Sequence, residues 1–163
     1  LGEWRAVARG AGSGAYPDNP PVNAAIGGLW GTDGIEPGWE SAEGLTPEER
    51  SIPGLFTLAG LEHPEIRFAR FDHAYDEVQR DFSKLAAVGG GDQLEVVLAN
   101  EAGIEASGVP ITSYVAAGGD HTILARDELY SLETDGVPFL EWFAGFLAGD
   151  DVGDVRCTDC ATG

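Results

Sequence analysis

Basic residues are scarce in this chain, and that scarcity excludes two classes of partner. Lysine and arginine together number 9 against 28 aspartates and glutamates, and the formal net charge is −19. Nucleic acids and anionic membrane surfaces are bound through clustered positive charge, so both would repel this chain. We therefore expect no nucleic-acid partner. The acidic surface suits either a high-salt habitat, where ions screen its self-repulsion, or ordinary extracellular solubility.

Long hydrophobic runs are also missing. No apolar stretch approaches the roughly 20 residues that a membrane-spanning helix needs, so we expect no membrane insertion. The 163 residues are 43% hydrophobic, which is enough to bury the core of one globular domain. The chain begins at Leu1 and not at methionine, and we expect that any targeting segment has been removed.

Cysteine occurs only twice, as Cys157 and Cys160 in "RCTDC", within a segment (150–163) that we interpret as an acidic tail. A redox-active C-x-x-C opens a helix after a strand, whereas this one follows the last helical stretch. A zinc site would need further ligands nearby. We expect a disulfide between the two cysteines, or with a cysteine on another segment, and hence an extracellular or periplasmic protein.

Three strand-like segments alternate with helical ones. The segments are "EWRAVARG" (3–10), "EIRFARFDHAY" (65–75) and "VPITSYVAAGG" (109–119). Strands that alternate with helices indicate an α/β fold, with a parallel sheet covered by helices on both faces. Three strands leave an edge of that sheet exposed, which indicates that further strands come from another segment or chain.

Helix signals lie between and after these strands. Thr46 followed by Pro47 has the chemistry of a helix start, and Asp92 is placed to cap a second helix. Residues 138–149 are predicted to form an amphipathic helix, with an apolar face made by Leu140, Phe143 and Leu147.

Two polar residues follow consecutive strands of the predicted sheet. Asp76 comes after the strand at 65–75, and His121 comes after the strand at 109–119. Functional groups collect at the carboxyl ends of parallel strands, and the order acid then base is that of a Ser-His-Asp hydrolase. We expect Asp76 to orient His121, and we keep Asp72 as a rival acid.

Short motifs around these residues resemble the C-terminal half of the pectin acetylesterase family, which also contains the Notum carboxylesterases. They are "YDEVQ" (75–79), "GGDHTIL" (118–124) and "DGVPFLEWFAGFL" (135–147), and the resemblance spans most of residues 5–157. It implies an α/β-hydrolase fold and hydrolysis of a carboxylic ester, with Asp76 as the acid and His121 as the base. "GAGSGAYPD" around Ser13 resembles the family's Asp-Ser-Gly loop, which borders the pocket.

The chain departs from that family in having no nucleophile elbow. The only candidate, "AGSGA" around Ser13, has alanines in place of the flanking glycines and is followed by prolines that oppose a helix. We therefore expect residues 1–163 to be the C-terminal portion of one hydrolase domain, completed by an upstream fragment or chain that carries the nucleophile. Ser13, Tyr16 and Trp30 are expected to line the pocket for the ester substrate.

Other chemistries find little support in the sequence. His63, His73 and His121 do not have the spacing of metal ligands, and "VGGGD" (88–92) lacks the residues of a phosphate-binding loop. We therefore expect neither a metal nor another cofactor. The alternative to an esterase is a non-catalytic binding or structural subunit that keeps the hydrolase fold.

Overall fold

The computed structural model describes residues 7–85 and 91–161, and its central element is a parallel sheet. The sheet consists, in spatial order, of β1 (Val7–Ala11), β2 (Arg67–His73), β3 (Ile111–Ala116) and β6 (Val155–Arg156). Every neighbouring pair in it is parallel. The predicted α/β class is therefore confirmed, although residues 3–6 of the first predicted strand lie outside the described part of the chain.

Helices connect and cover the strands. They are α1 (Pro20–Trp30), α2 (Ile52–Glu62), α3 (Glu77–Leu85), α4 (Gln93–Ala106) and α5 (Phe139–Ala148). A small antiparallel pair, β4 (Glu133–Thr134) with β5 (Val137–Pro138), precedes α5. Among the described residues, none of the helices has both the length and the apolar character required to cross a membrane.

The core lies on both faces of the sheet, because successive residues of a strand point to opposite sides. Tyr114 of β3 packs on one face against Phe139 and Trp142, with ring centroids 5.1 and 5.4 Å apart. The next residue, Val115, packs on the other face in a cluster with Val97 of α4. The sheet is therefore held between α5 on one side and α4 on the other.

The buried face of α5 differs from the predicted one. Phe139, Trp142 and Phe146 are buried, whereas Leu140 and Leu147 are 40% and 48% exposed. The prediction that Leu140 and Leu147 belong to the apolar face is therefore wrong. Both stripes have helical spacing, so periodicity could not separate them, and the larger aromatic rings bury more apolar surface against Tyr114.

The predicted helix start at Thr46 is also displaced. Thr46 caps only a short 3₁₀ turn, and α2 begins later, after Ser51, whose side chain accepts a hydrogen bond from the backbone of Gly54. Pro53 explains the break, because proline has no N–H with which to continue the ladder of hydrogen bonds through this segment. By contrast, Asp92 caps α4 as predicted.

The C-terminal segment is more ordered than an acidic tail. It supplies β6 at the edge of the sheet beside β3, and Asp154 accepts a hydrogen bond at 2.9 Å from the backbone N–H of Ser113. Cys157 and Cys160 form a disulfide with each other, as one of the two predicted pairings required. Residues 162 and 163 lie outside the described part of the chain.

Candidate active site

The predicted acid and base meet at the carboxyl ends of β2 and β3. Nδ1 of His121 lies 2.7 Å from Oδ2 of Asp76. The Asp76 side chain is fully buried, while that of His121 is 36% exposed. The imidazole is therefore anchored on one side by a buried carboxylate and is open to solvent on the other.

The start of α3 fixes the Asp76 carboxylate. Its Oδ1 accepts hydrogen bonds from the backbone N–H groups of Val78 and Gln79, at 2.9 and 3.0 Å. These N–H groups lack partners within the helix, and the positive end of the helix dipole favours a negative charge beside them. One carboxylate oxygen is thus held by the helix, and Oδ2 is left to face His121.

Gln79 connects the acid to its surroundings, and sequence reasoning missed it. Its side-chain Nε2 donates hydrogen bonds to Oδ2 of Asp76 at 3.1 Å and to Oδ1 of Asp72 at 3.2 Å. Its Oε1 accepts from the backbone of Ala15 at 2.8 Å. If the amide were flipped, its oxygen would lie beside two carboxylates, which cannot donate a hydrogen bond to it. The two carboxylates therefore fix the orientation of the amide. The D-x-x-Q spacing at a helix start was the available signal.

Asp72, the rival acid, faces away from His121 and into a buried ion pair. Its Oδ2 lies 2.9 Å from Nε of Arg70, and its Oδ1 accepts from the backbone of Gly14 at 2.7 Å. Burial raises the pKa of Asp72 above the usual aspartate value, and Arg70 and the hydrogen bonds from Gly14 and Gln79 oppose that rise. Asp76 is therefore the carboxylate that contacts the imidazole.

A chain of alternating charges extends from Asp72 beneath the site. Arg70 also contacts Glu101 of α4 at 3.0 Å, and Arg156 of β6 contacts the other oxygen of Glu101 at 2.7 Å. Arg70 and Glu101 are 2% and 1% exposed, so each buried charge is matched by an opposite one. Removing one member of such a network lowers the stability of the fold, because a buried charge is left unpaired. The complete network holds its side chains rigidly.

The same network involves the one group of acidic side chains whose spacing suits a metal ion among the described residues. The carboxylate oxygens of Glu101, Glu105 and Asp154 lie within 4.8 Å of one another. Arg156 contacts both Glu101 and Asp154, the latter at 3.2 Å. Arg156 therefore pairs with two of the three carboxylates, and Arg70 also pairs with Glu101, so ion pairing explains the positions of Glu101 and Asp154 without a metal.

The loop after β1 runs beside the imidazole. Gly12 has φ +72°, and a Cβ there would lie only 2.8 Å from Cε1 of His121. Asn100 of α4 fixes the loop by donating to the carbonyl oxygens of Gly14 and Tyr16, at 2.7 and 2.8 Å. The close approach of backbone to ring requires glycine at position 12.

Ser13 lies in this loop without the geometry of a nucleophile elbow. No hydrogen bond joins its hydroxyl to His121 in the described part of the chain, where the imidazole has Asp76 as its side-chain partner. A helix should follow an elbow serine directly, but α1 begins only at Pro20. The sequence-based objection to Ser13 as the nucleophile thus has a structural counterpart.

The predicted pocket residues are only partly brought together. A cavity of about 390 Å³ lies between α1, α2 and the connection between them, and Tyr16 and Trp30 line it. Ser13, Asp76 and His121 are not part of its lining. A hydrogen bond of 3.3 Å from the backbone of Tyr16 to the carbonyl of Ser13 closes a turn that connects the cavity to the loop beside His121.

The other two histidines have different surroundings. His73 is buried and its Nδ1 lies 2.9 Å from the carbonyl oxygen of Ala117, while His63 is paired with Glu65 at the surface, at 3.3 Å. His121 alone among the three combines a fully buried carboxylate partner with a partly exposed ring. This arrangement holds an imidazole in one tautomer and leaves Nε2 able to accept a proton.

Comparisons with protein-family models, with curated proteins and with solved structures found no match to this chain.

Proposed function

We propose that this chain is part of a serine carboxylic-ester hydrolase and supplies the acid and base of its catalytic triad. The observation that carries the proposal is the 2.7 Å contact between His121 Nδ1 and the buried carboxylate of Asp76. The parallel sheet, with both residues after neighbouring strands, is compatible with part of an α/β-hydrolase fold. The resemblance of "YDEVQ" and "GGDHTIL" to the pectin acetylesterase family points to the same chemistry.

In the proposed reaction, His121 acts as the base. Its Nε2 takes the proton of a serine hydroxyl while the serine oxygen attacks the ester carbonyl carbon, and Asp76 stabilises the imidazolium that forms. His121 then gives this proton to the departing alkoxide, which leaves as the alcohol. Water attacks the acyl-enzyme in the second half, its proton passing through the same Nε2 back to the serine.

The nucleophile and the oxyanion hole are proposed to come from an upstream segment or chain. Within the described residues, no serine, threonine or cysteine side chain is hydrogen-bonded to His121. β1 lies at the edge of the sheet in the described part of the chain, where a further strand would be able to pair. The disulfide fits the proposed extracellular or periplasmic location.

The decisive experiment is labelling with a fluorophosphonate, which forms a covalent bond with an activated serine. The protein is used together with its upstream segment, and the labelled residue is found by mass spectrometry. We expect one serine to be labelled, and His121→Ala to abolish the labelling. His63→Ala is the matched control, because His63 also pairs with a carboxylate but lies at the surface.

The second candidate function, a non-catalytic subunit, is favoured by the absence of a nucleophile beside His121 in the described residues. It predicts no serine labelling even when the upstream segment is present. Labelling of Ser13 would support the esterase proposal and would refute only the proposal that the nucleophile comes from an upstream segment or chain.

A further inference from the structure

The cavity between α1 and α2 has the properties of a ligand-binding site. Its volume of about 390 Å³ lies within the range of roughly 300 to 1,000 Å³ that is usual for small-molecule pockets. Its lining is mostly apolar, and three of the lining residues, Trp30, Ile35 and Leu55, are 69%, 59% and 54% exposed. The exposed residues indicate that the cavity is accessible from solvent.

The positive charge in the lining is already used. Arg50 donates to the carbonyl oxygens of Asp33 and Ile35, at 3.1 and 2.9 Å, and pairs with the carboxylate of Glu36 at 2.7 Å. These contacts hold the loop that forms one wall. Asp33 itself lines the cavity and is exposed, which disfavours an anionic ligand. The positive charge of Arg50 therefore stabilises the loop that forms one wall and is not free to bind an anionic ligand.

Two polar atoms in the lining residues are buried and have no partner among the described residues. The first is Oδ1 of Asn23, a residue that is only 4% exposed. Its Nδ2 donates to Oδ1 of Asp18 at 3.0 Å and to the carbonyl of Glu48 at 2.9 Å, which fixes the amide orientation. Oδ1 is therefore a true acceptor that lacks a donor.

The second unpaired atom is the hydroxyl oxygen of Tyr16. Burial raises the pKa of Tyr16 above its ordinary value near 10, so the hydroxyl remains protonated at neutral pH. A buried polar group without a partner costs free energy, and a ligand that supplies the partner recovers that cost. Both atoms belong to residues that line the cavity, so a ligand that reaches them meets one hydrogen-bond acceptor and one donor among apolar walls.

We propose that this cavity binds a neutral ligand with an apolar body and a hydroxyl group. The hydroxyl hydrogen is donated to Asn23 Oδ1, and an oxygen of the ligand accepts from Tyr16. The apolar body contacts the side chains that form the walls, such as Ile26, Ile52 and Leu58. The proposal goes beyond ester hydrolysis, because it depends on neither Asp76 nor His121.

The test compares ligands of the same size and different polarity. Hexan-1-ol and methyl pentyl ether are isomers, and only the alcohol can donate to Asn23. Binding to the full-length protein is followed by tryptophan fluorescence, since Trp30 and Trp39 both line the cavity. We expect the alcohol to bind about 2- to 12-fold more tightly than the ether, as one net hydrogen bond would give.

Tyr16→Phe removes only the unpaired hydroxyl. It should weaken binding of the alcohol by a similar factor of about 2 to 12. Tyr130→Phe is the matched control, because Tyr130 is 74% exposed and is not part of the lining. It should leave binding unchanged. The same measurements in the His121→Ala variant should give the same affinities, which separates this proposal from the esterase proposal.

Several outcomes would overturn the inference. Equal affinity for alcohol and ether would show that Asn23 does not accept from the ligand. Tighter binding of hexanoate or hexylammonium than of the alcohol would show that the site selects charge. No detectable binding of any probe, or an equal loss in Tyr130→Phe and Tyr16→Phe, would show that the cavity is not the ligand site.

Discussion

Asp76 and His121 are 45 residues apart in the chain, yet Oδ2 of the first lies 2.7 Å from Nδ1 of the second. The contact is possible because β2 and β3 are parallel neighbours, so the segments that follow them both begin at the carboxyl end of the sheet. Backbone hydrogen bonds beyond the strands, such as Glu77 N–H to the carbonyl of Gly119 at 2.9 Å, hold the two segments together. The pair is thus positioned by the sheet and not by local sequence.

Asp76→Asn should reduce ester hydrolysis in the complete protein by about 10⁴-fold, because the amide favours the wrong imidazole tautomer. Asparagine caps helices as well as aspartate does, so α3 should remain folded. The measurement is the initial rate with p-nitrophenyl acetate. Asp92→Asn is the matched control, since Asp92 also caps a helix, α4, but has no contact with a histidine. Similar rates for the two variants would contradict the role of Asp76.

Gln79→Leu should lower kcat by up to about 10²-fold with little change in KM, because Oδ2 of Asp76 loses the hydrogen bond from the Gln79 side chain and shifts relative to His121. Gln93→Leu is the comparison, since Gln93 donates at 2.9 Å to the backbone oxygen of Asp76 and not to its carboxylate. Steady-state kinetics and thermal unfolding are measured on both. A loss of stability without a selective loss of kcat would make Gln79 structural only.

Gly12→Ala should abolish activity, because the new Cβ would lie 2.8 Å from His121 Cε1 and 3.0 Å from Nδ1. Gly31→Ala has nearly the same backbone strain, with φ +71° against +72°, but no atom within 4 Å of the new Cβ. Each substitution should cost about 1–2 kcal/mol of unfolding free energy from strain alone. Urea denaturation measures that cost, and preserved activity in Gly12→Ala would refute the close packing.

Tyr16→Phe should make the protein less sensitive to alkali. Burial raises the folded-state pKa of Tyr16 above the unfolded value near 10, so above that pH the unfolded state releases its proton first. The contribution of Tyr16 to stability is present below pH 10 and is lost as pH rises through the folded pKa. Urea midpoints between pH 9 and 11 should therefore fall more steeply for the natural protein than for the variant. Parallel curves would contradict the prediction.

The strands and the contact between Asp76 and His121 were predictable because both depend on order along the chain. β-branched and aromatic runs indicated β2 and β3, and the polar residues that follow them had to share one edge of a parallel sheet. The cap at Asp92 was likewise a local signal. The structure adds the atoms that meet, Nδ1 and Oδ2, which order alone could not specify.

The rest of the site depends on contacts between residues that are far apart in the chain and that leave no periodic pattern in the sequence. Arg70 meets Glu101 across 31 positions, and Arg156 meets the same carboxylate across 55. Ser13 resembled a pocket residue by its neighbours in the sequence, yet the cavity begins at Tyr16 beyond the turn. β6 has only two residues, which is too short to leave an alternating pattern.

The disulfide has a practical consequence for making this protein. The segment that it closes is pinned to the end of β3, through Cys157 N–H to the carbonyl of Val115 and Gly118 N–H to the carbonyl of Cys160, at 3.0 and 3.1 Å. Gly118 opens the loop that carries His121. A bacterial cytosol keeps thiols reduced. Recombinant protein produced there would lack the Cys157–Cys160 disulfide that stabilises the segment beside the His121 loop. A secreting host is therefore the appropriate source of protein for kinetic measurements.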